Sequence, residues 1–113
     1  MEVGKTLYLT SRTAWRKWLS KHHKTSKEIW LIYYKKATGK PTIEYDAAVE
    51  EALCYGWIDG QDKGIDAERY AQRFSPRKPG GNFSKSNQAR VKRLITQGKM
   101  TKAGLTALKQ TKT

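Results

Sequence analysis

The sequence has little of what disulfide-bonded, metal-binding or membrane-spanning domains depend on. Its 113 residues include one cysteine, Cys54, so an internal disulfide and the spaced cysteine pairs of a zinc site are both absent. The longest apolar run, Ile29–Tyr34, is far shorter than the roughly 18 residues of a membrane span. The first residues lack the apolar region of a secretory signal. These absences predict a cytoplasmic protein with no membrane span, no metal and no cofactor.

Acidic residues are missing from the whole C-terminal part of the chain. Residues 69–113 carry twelve Lys or Arg and no Asp or Glu, whereas residues 44–68 carry eight acids and one base. Residues 1–43 are basic again, with ten Lys or Arg and two acids, and the formal net charge is +13. This segregation predicts a positive field over one region of the fold and therefore an anionic partner. A solvated surface with simple counterions is the alternative.

The apolar residues are sufficient for one modest core. Hydrophobic residues make up 37% of the chain and charged residues 29%, which differs from the composition of disordered chains. A chain of this length forms one domain, predicted to span residues 1–113.

The order of the apolar patterns predicts a small α+β domain with a short antiparallel sheet of about three strands. Ser11 and Ser84 are suited to cap helices, Gly56 and Gly98 to end them, and Gly104 is expected to weaken the last one. The predicted elements are an N-terminal helix over residues 11–21, a strand over 28–37, a middle helix over 46–55, a strand hairpin formed by 57–60 and 68–74, and a C-terminal helical hairpin formed by 84–97 and 101–108.

Combinations of residues that support catalysis are hard to find. Cys54 has no base linked to it by a motif and lies in an apolar helix, which is typical of a small buried side chain. Glu50 and Glu51 have the pattern of a solvated helix face rather than an acid–base pair. His22 and His23 follow a helix without nearby acids, which favours a surface cap over a metal pair. The sequence therefore favours a binding module over an enzyme.

Asp59 is the acidic residue with the most informative surroundings, because it ends a short apolar strand beside Gly60, where backbone can approach a ligand. One hypothesis is a pocket for a protein partner or a small polar or anionic ligand, with an enzyme acting there as the less favoured version. The alternative is a structural ion pair or an Asx-turn at Asp59. The predicted pocket residues are Lys36, Trp57, Asp59, Arg77 and Asn87.

The basic C-terminal third supplies a second candidate site. Arg90 and Arg93 lie three residues apart on a predicted helix whose apolar side contains Val91 and Leu94. The N-terminus of that helix offers backbone N–H groups to an anion. These residues are suited to contact phosphates, and none of them is placed to read base edges. We therefore predict that the chain binds nucleic acid or another polyanion in a salt-sensitive manner and without sequence preference. The predicted polyanion-binding residues are Arg77, Lys78, Lys85, Arg90 and Arg93.

Several motifs resemble those of one bacterial family. They are EIWL at 28–31, ALCYGWIDG at 52–60, RFSPR at 73–77, SKSN at 84–87 and GKMTKAG at 98–104. On these motifs the chain resembles the bacteriocin-protection family, also called YdeI/OmpD-associated, over most of its length. The resemblance implies a cytoplasmic bacterial protein linked by name to protection against bacteriocins, and it implies no established reaction.

Overall fold

Four α-helices and four β-strands make up the part of the chain that the computed structural model describes, residues 4–77 and 84–109. A short 3-10 turn at Lys36–Thr38 connects the second strand to the second helix. None of the helices in these two ranges is long and apolar enough to cross a membrane. The elements are β1 (Thr6–Leu7), α1 (Arg12–His22), β2 (Ile29–Tyr34), α2 (Tyr45–Cys54), β3 (Trp57–Gly64), β4 (Arg69–Pro76), α3 (Lys85–Thr96) and α4 (Lys102–Lys109).

The strands form one mixed sheet in the order β1-β2-β4-β3. The predicted hairpin of β3 and β4 is confirmed, and each of its strands extends over eight residues. β1 pairs parallel with β2, with Thr6 opposite Trp30. The sheet is therefore mixed and four-stranded rather than antiparallel and three-stranded. The sequence analysis did not predict β1, because a strand of two residues is too short to show a strand periodicity.

The helices cover one face of the sheet and enclose the main core there. The opposite face carries a smaller cluster of Trp30, Ile32 and Ala71, which explains why nearly every residue of β2 is buried. Cys54 is buried, as predicted. The main core consists of Trp15, Leu19, Ile29, Leu31, Tyr33, Ile43, Ala48, Val49, Ala52, Leu53, Cys54, Trp57, Phe74, Val91 and Leu94.

Predicted serine caps begin two of the helices. The Ser11 hydroxyl accepts a hydrogen bond from the Ala14 backbone N–H at the start of α1, and Ser84 accepts one from Asn87 at the start of α3. Within α1, the buried Trp15 indole donates to the backbone oxygen of Ala48 at 2.9 Å and so joins α1 to α2. Helices α3 and α4 both pack against α2, which makes α2 the centre of the helical layer.

Helix α4 lies very close to the end of α2. A Cβ atom at Gly104 would lie 2.3 Å from the backbone oxygen of Cys54, and one at Gly56 would lie 2.8 Å from the Ala107 Cβ. The Thr101 backbone N–H donates to that same Cys54 oxygen at 3.0 Å, and the Thr101 hydroxyl caps α4 by accepting from Gly104. Gly104 is therefore more than a weak point of α4, because the missing side chain lets the helix dock.

We expect the substitution Gly104→Ala to destabilise the protein by about 1–3 kcal/mol, because the added methyl group overlaps the Cys54 carbonyl. At an exposed helix position the same change stabilises by about 1 kcal/mol. Urea unfolding measures whether the substitution lowers or raises the free energy of unfolding. Gly64→Ala is the matched control, since a Cβ there meets nothing within 4 Å and its effect should stay within about 0.5 kcal/mol. A Gly104→Ala protein as stable as the wild type would contradict the close approach of α4.

Candidate anion-binding site

The structure brings Asp59 and Asn87 together. The Asn87 side-chain amide donates a hydrogen bond to Asp59 Oδ1 at 3.4 Å, and the Tyr45 hydroxyl donates to Asp59 Oδ2 at 3.1 Å. Asp59 belongs to β3, Tyr45 begins α2 and Asn87 lies in the first turn of α3. Three separate elements therefore meet at this carboxylate.

The hydrogen bonds continue from Asn87 to a second acidic residue. Arg90 donates to the Asn87 side-chain oxygen at 3.2 Å and to Asp46 Oδ1 at 2.8 Å. We call these five residues, Tyr45, Asp46, Asp59, Asn87 and Arg90, the Asp59 network. It ties the N-terminal ends of α2 and α3 to β3.

The buried Tyr33 and the partly buried Tyr70 lie next to the Asp59 network on the same face of the sheet. The Tyr33 hydroxyl donates to Gln72 Oε1 at 2.9 Å, and its ring stacks on Tyr70 at a centroid distance of 5.0 Å. Burial, with the nearby Tyr70, Tyr45 and aspartates, raises the pKa of Tyr33 far above its ordinary value. Burial and Asp59 also raise the pKa of Tyr45. Both phenols therefore stay protonated and act as hydrogen-bond donors near neutral pH.

Lys36, another predicted pocket residue, lies toward the other end of the sheet. Asp59 is opposite Phe74, and Phe74 is opposite Ile29, the first residue of β2. Lys36 follows the last residue of that strand. At about 3.3 Å per residue the length of β2 separates the two by more than about 15 Å. The structure therefore does not bring Lys36 to Asp59.

Trp57 and Arg77, the other two predicted pocket residues, line a cavity of about 500 Å³. The Arg77 backbone N–H donates to the Gly56 oxygen at 2.9 Å, which holds the end of β4 beside the turn from α2 to β3. Gly56 makes that turn with a φ of 78°, a backbone conformation that favours glycine. Asp59 and Lys36 are not among the residues that line this cavity.

The cavity has a basic lining. His23 and Lys24 enter it from the end of α1, Arg77 from the end of β4 and Lys102 from the first turn of α4. The remaining lining residues within the described ranges are neutral. We call this space the basic cavity. Sequence analysis misses His23, Lys24 and Lys102 because they share no motif and lie up to 79 positions apart.

Arginine and lysine play different roles in the described structure. Six arginines form ion pairs with acidic side chains, whereas Lys40, paired with Glu68, is the one lysine that does so among those whose side chains are described. The excess positive charge is therefore carried mainly by lysines. The arginine pairs are Arg12 and Arg93 with Glu50, Arg12 and Arg16 with Glu51, Arg69 with Asp66, Arg73 with Glu28, and Arg90 with Asp46.

These ion pairs involve two of the residues predicted to bind a polyanion. Arg90 and Arg93 contact acidic residues of α2, while Lys85 is exposed at the start of α3. Arg77 is 8% exposed and belongs to the basic cavity. Lys78 lies outside the described residues. The predicted residues therefore do not form one continuous face of unpaired cations.

The expectation that Glu50 and Glu51 form a solvated helix face is wrong. Glu51 is 3% exposed, and Arg16 Nη1 lies 2.9 Å from its carboxylate. Glu50 bridges Arg12 of α1 and Arg93 of α3. Burial acts to raise the pKa of Glu50, but the hydrogen bonds from Arg12 and Arg93 prevail and lower it. The two glutamates thus join α2 to both neighbouring helices.

Metal-binding and nucleophilic chemistry find little support among the described residues. No group of three or more His, Cys, Asp or Glu side chains is placed to hold a metal ion in that part of the chain. Burial raises the pKa of the Cys54 thiol despite a hydrogen bond with Arg16. Cys54 therefore remains a neutral thiol in the core, where it is a poor nucleophile.

Comparison with known families assigns the chain to one of them. A family model described as a domain of unknown function, DUF8412, matches residues 7–107. The chain therefore belongs to the DUF8412 family. No curated protein and no solved structure matches it significantly. The matched range contains the Asp59 network and the residues of the basic cavity, and the resemblance to the bacteriocin-protection family stays a prediction.

We expect the Glu50 pairs to make folding stability depend on pH. Because the pKa of Glu50 is lowered in the folded protein, its contribution is present above about pH 4.5 and is lost as the pH falls through the folded-state pKa. Glu50→Gln should therefore lower the free energy of unfolding by about 1 kcal/mol at pH 7 and flatten its decline between about pH 5 and 3. Urea unfolding across this pH range measures both effects.

Glu44→Gln is the control for this measurement. Glu44 is exposed and makes no ion pair within the described ranges, so its variant should keep the pH dependence of the wild type. If Glu50→Gln showed the same pH dependence as the wild type, the stabilising role of the Glu50 pairs would be refuted.

Proposed function

We propose that this protein is a non-enzymatic binding module that holds a polyanion, with nucleic acid as the favoured ligand, at the basic cavity. The observation that carries this proposal is the composition of the lining. Lys24, Arg77, Lys102 and His23 line one cavity without an accompanying carboxylate in the described structure. Ammonium and guanidinium groups are the usual ligands of phosphate oxygens in proteins.

The position of these cations supports a built site rather than a generally basic surface. They come from three separate elements, and the cavity they line lies within the range of volumes of ligand pockets, at about 500 Å³. A cavity of similar size beside the first turn of α2 is lined by three acidic residues, Glu44, Asp46 and Glu50, and by one cation, Arg12, so its net charge is negative and would repel an anion. The two cavities therefore have opposite electrostatic character.

The described residues that line the cavity offer no means of reading a base sequence. Trp57 is 1% exposed, so its ring offers no surface on which a base could stack. The Tyr55 ring is contacted by His23, at a centroid distance of 4.9 Å, and by the Arg16 guanidinium at 5.4 Å. Binding through phosphates alone should be weak, salt-sensitive and indifferent to sequence.

A small-ligand or protein-binding pocket at Asp59 is less favoured. Both oxygens of the Asp59 carboxylate already accept hydrogen bonds, from Tyr45 and Asn87. Arg77, its proposed partner in that pocket, lines the basic cavity instead. An enzyme acting at Asp59 is disfavoured for the same reason. A cytoplasmic location fits this proposal, since nucleic acid is an abundant cytoplasmic polyanion. The link to bacteriocin protection also remains a proposal, which rests on the resemblance of the sequence motifs alone.

Fluorescence anisotropy with labelled single-stranded and duplex oligonucleotides, DNA and RNA, tests the proposal. In about 50 mM salt, the double substitution Lys24→Ala/Lys102→Ala should weaken binding about tenfold or more, because it removes two of the cavity cations. The matched control is Lys17→Ala/Lys92→Ala, which removes two exposed lysines outside the cavity lining. The control should lose less than about threefold.

Salt and an Asp59 variant complete the test. If three phosphates are contacted, raising salt from about 50 to 200 mM should weaken single-strand binding about 20-fold. Asp59→Ala should leave binding unchanged, since Asp59 does not line the cavity. Absence of binding to every oligonucleotide at low salt would overturn the proposal. Equal losses in the two lysine pairs would show that the cavity is not the binding site.

A further inference from the structure

The segments that line the basic cavity are joined to one another by close contacts. The Trp57 indole donates to the His23 backbone oxygen at 3.3 Å, which connects the start of β3 to the end of α1. The Arg77 backbone N–H donates to the Gly56 oxygen, and Gly56 lies against α4, since a Cβ there would be 2.8 Å from the Ala107 Cβ. These contacts prevent a strand from threading between the joined segments, whereas the end of a strand can enter the space that they surround.

Three permanent cations line this space, and each comes from a different segment. Lys24 follows α1, Arg77 follows β4 and Lys102 begins α4. Both lysines are exposed, so their flexible side chains can move toward a ligand. Arg77 is 8% exposed, and its charge contributes strongly to the positive potential of the cavity because water screens a withdrawn charge less. Cations that approach from three directions suit an anion with several free oxygens and more than one charge.

A terminal phosphate meets this requirement better than an internal phosphodiester does. A phosphomonoester carries a charge of about −1.5 to −2 near pH 7 and offers three acceptor oxygens. An internal phosphodiester carries a single negative charge and has fewer free oxygens, because the strand continues from two of them. A terminal phosphate can also enter a confined space with one strand direction behind it, whereas an internal phosphate brings two.

Further lysines lie beside the cavity, on the segment that leaves α1. Lys21 in the last turn of α1 and Lys27 before β2 are exposed, as is Lys24 between them. Neither Lys21 nor Lys27 forms an ion pair with an acidic side chain within the described ranges. These two lysines can contact the phosphates that follow a terminal one, which favours a nucleic acid strand over a small phosphorylated compound.

We propose that the basic cavity receives the phosphorylated end of a nucleic acid strand, and that Lys24 and Lys102 bind the terminal phosphate. Lys21 and Lys27 contact the internal phosphates next to that end. This inference rests on the proposed function of the basic cavity and names the part of the polyanion that enters it. The binding is non-covalent, so no bond of the strand forms or breaks.

Single-stranded oligonucleotides that differ at their ends test this inference by anisotropy at low salt, with the fluorophore at an internal position. Strands with a 5′-phosphate or a 3′-phosphate are compared with an unphosphorylated strand two nucleotides longer. This strand is charge-matched, because at about pH 8 a terminal phosphate adds about two charges and each extra phosphodiester adds about one. We expect at least one phosphorylated strand to bind about tenfold more tightly than the charge-matched strand, since it alone offers a dianion to the cavity lysines.

The substitution Lys24→Ala/Lys102→Ala should abolish this preference, so that the phosphorylated and charge-matched strands bind within about twofold of each other. Lys21→Ala/Lys27→Ala is the matched control, because it removes the same charge beside the cavity. The control should weaken binding of both strands by a similar factor and keep the preference for the phosphorylated end. All four lysines are exposed, so we expect both variants to fold, and thermal unfolding checks this.

The outcomes separate this inference from the proposed function. A wild type without preference for the phosphorylated strand, or a preference that survives in Lys24→Ala/Lys102→Ala, would overturn the inference and leave the proposed function standing. A nucleoside 5′-monophosphate or a phosphoserine peptide that competes with an affinity equal to that of the phosphorylated strand would also overturn it, because the ligand would then not be a strand end. Absence of binding to every strand would overturn the proposed function itself.

Discussion

Helix α2 holds two adjacent glutamates between arginines that come from α1 and α3. Glu51 is almost fully buried against Arg16, and Glu50 bridges Arg12 and Arg93. A carboxylate this deep is tolerated only when cations reach it, since an unpaired buried charge would cost several kcal/mol. The positions of α1 and α3 on α2 therefore depend on these pairs as well as on the apolar core between the helices. Three acidic residues of α2, Asp46, Glu50 and Glu51, thus help to hold two basic segments in place.

This internal pairing determines which positive charges remain for a partner. Each of the six arginines of the ion pairs has an acidic neighbour, whereas most of the described lysines have none. The planar guanidinium suits fixed, directional pairs within the fold, while a lysine ammonium on a flexible stem can follow an external anion. The excess positive charge of the chain, formally +13, is consequently carried mainly by lysines. Two of these lysines line the basic cavity together with Arg77 and His23.

The predicted site was divided by the fold into two separate places. Asp59 and Asn87 meet in a hydrogen-bonded network with Tyr45, and Trp57 and Arg77 line the basic cavity. Successive residues of a strand point to opposite faces, but Trp57 and Asp59 are two apart and share one face. Trp57 and Asp59 nevertheless belong to different sites because different helices pack beside them. The end of α2 and α4 approach Trp57, whereas the starts of α2 and α3 approach Asp59.

Local signals in the sequence determined most of the secondary structure. Helical spacing, the serine caps and the β3–β4 hairpin were all predictable, because each depends on residues close together in the chain. The short parallel strand β1 was not, since it exists only through pairing with β2.

The sequence by itself also determined that the charge is segregated and that a positive excess must be accommodated. Only the tertiary structure decided which charges are paired, that Gly104 admits α4 to the end of α2, and that His23, Lys24 and Lys102 join Arg77 around one cavity. The physical reason is that charge neutralisation and close packing depend on distances in space, and residues far apart in the chain become neighbours only when the core forms.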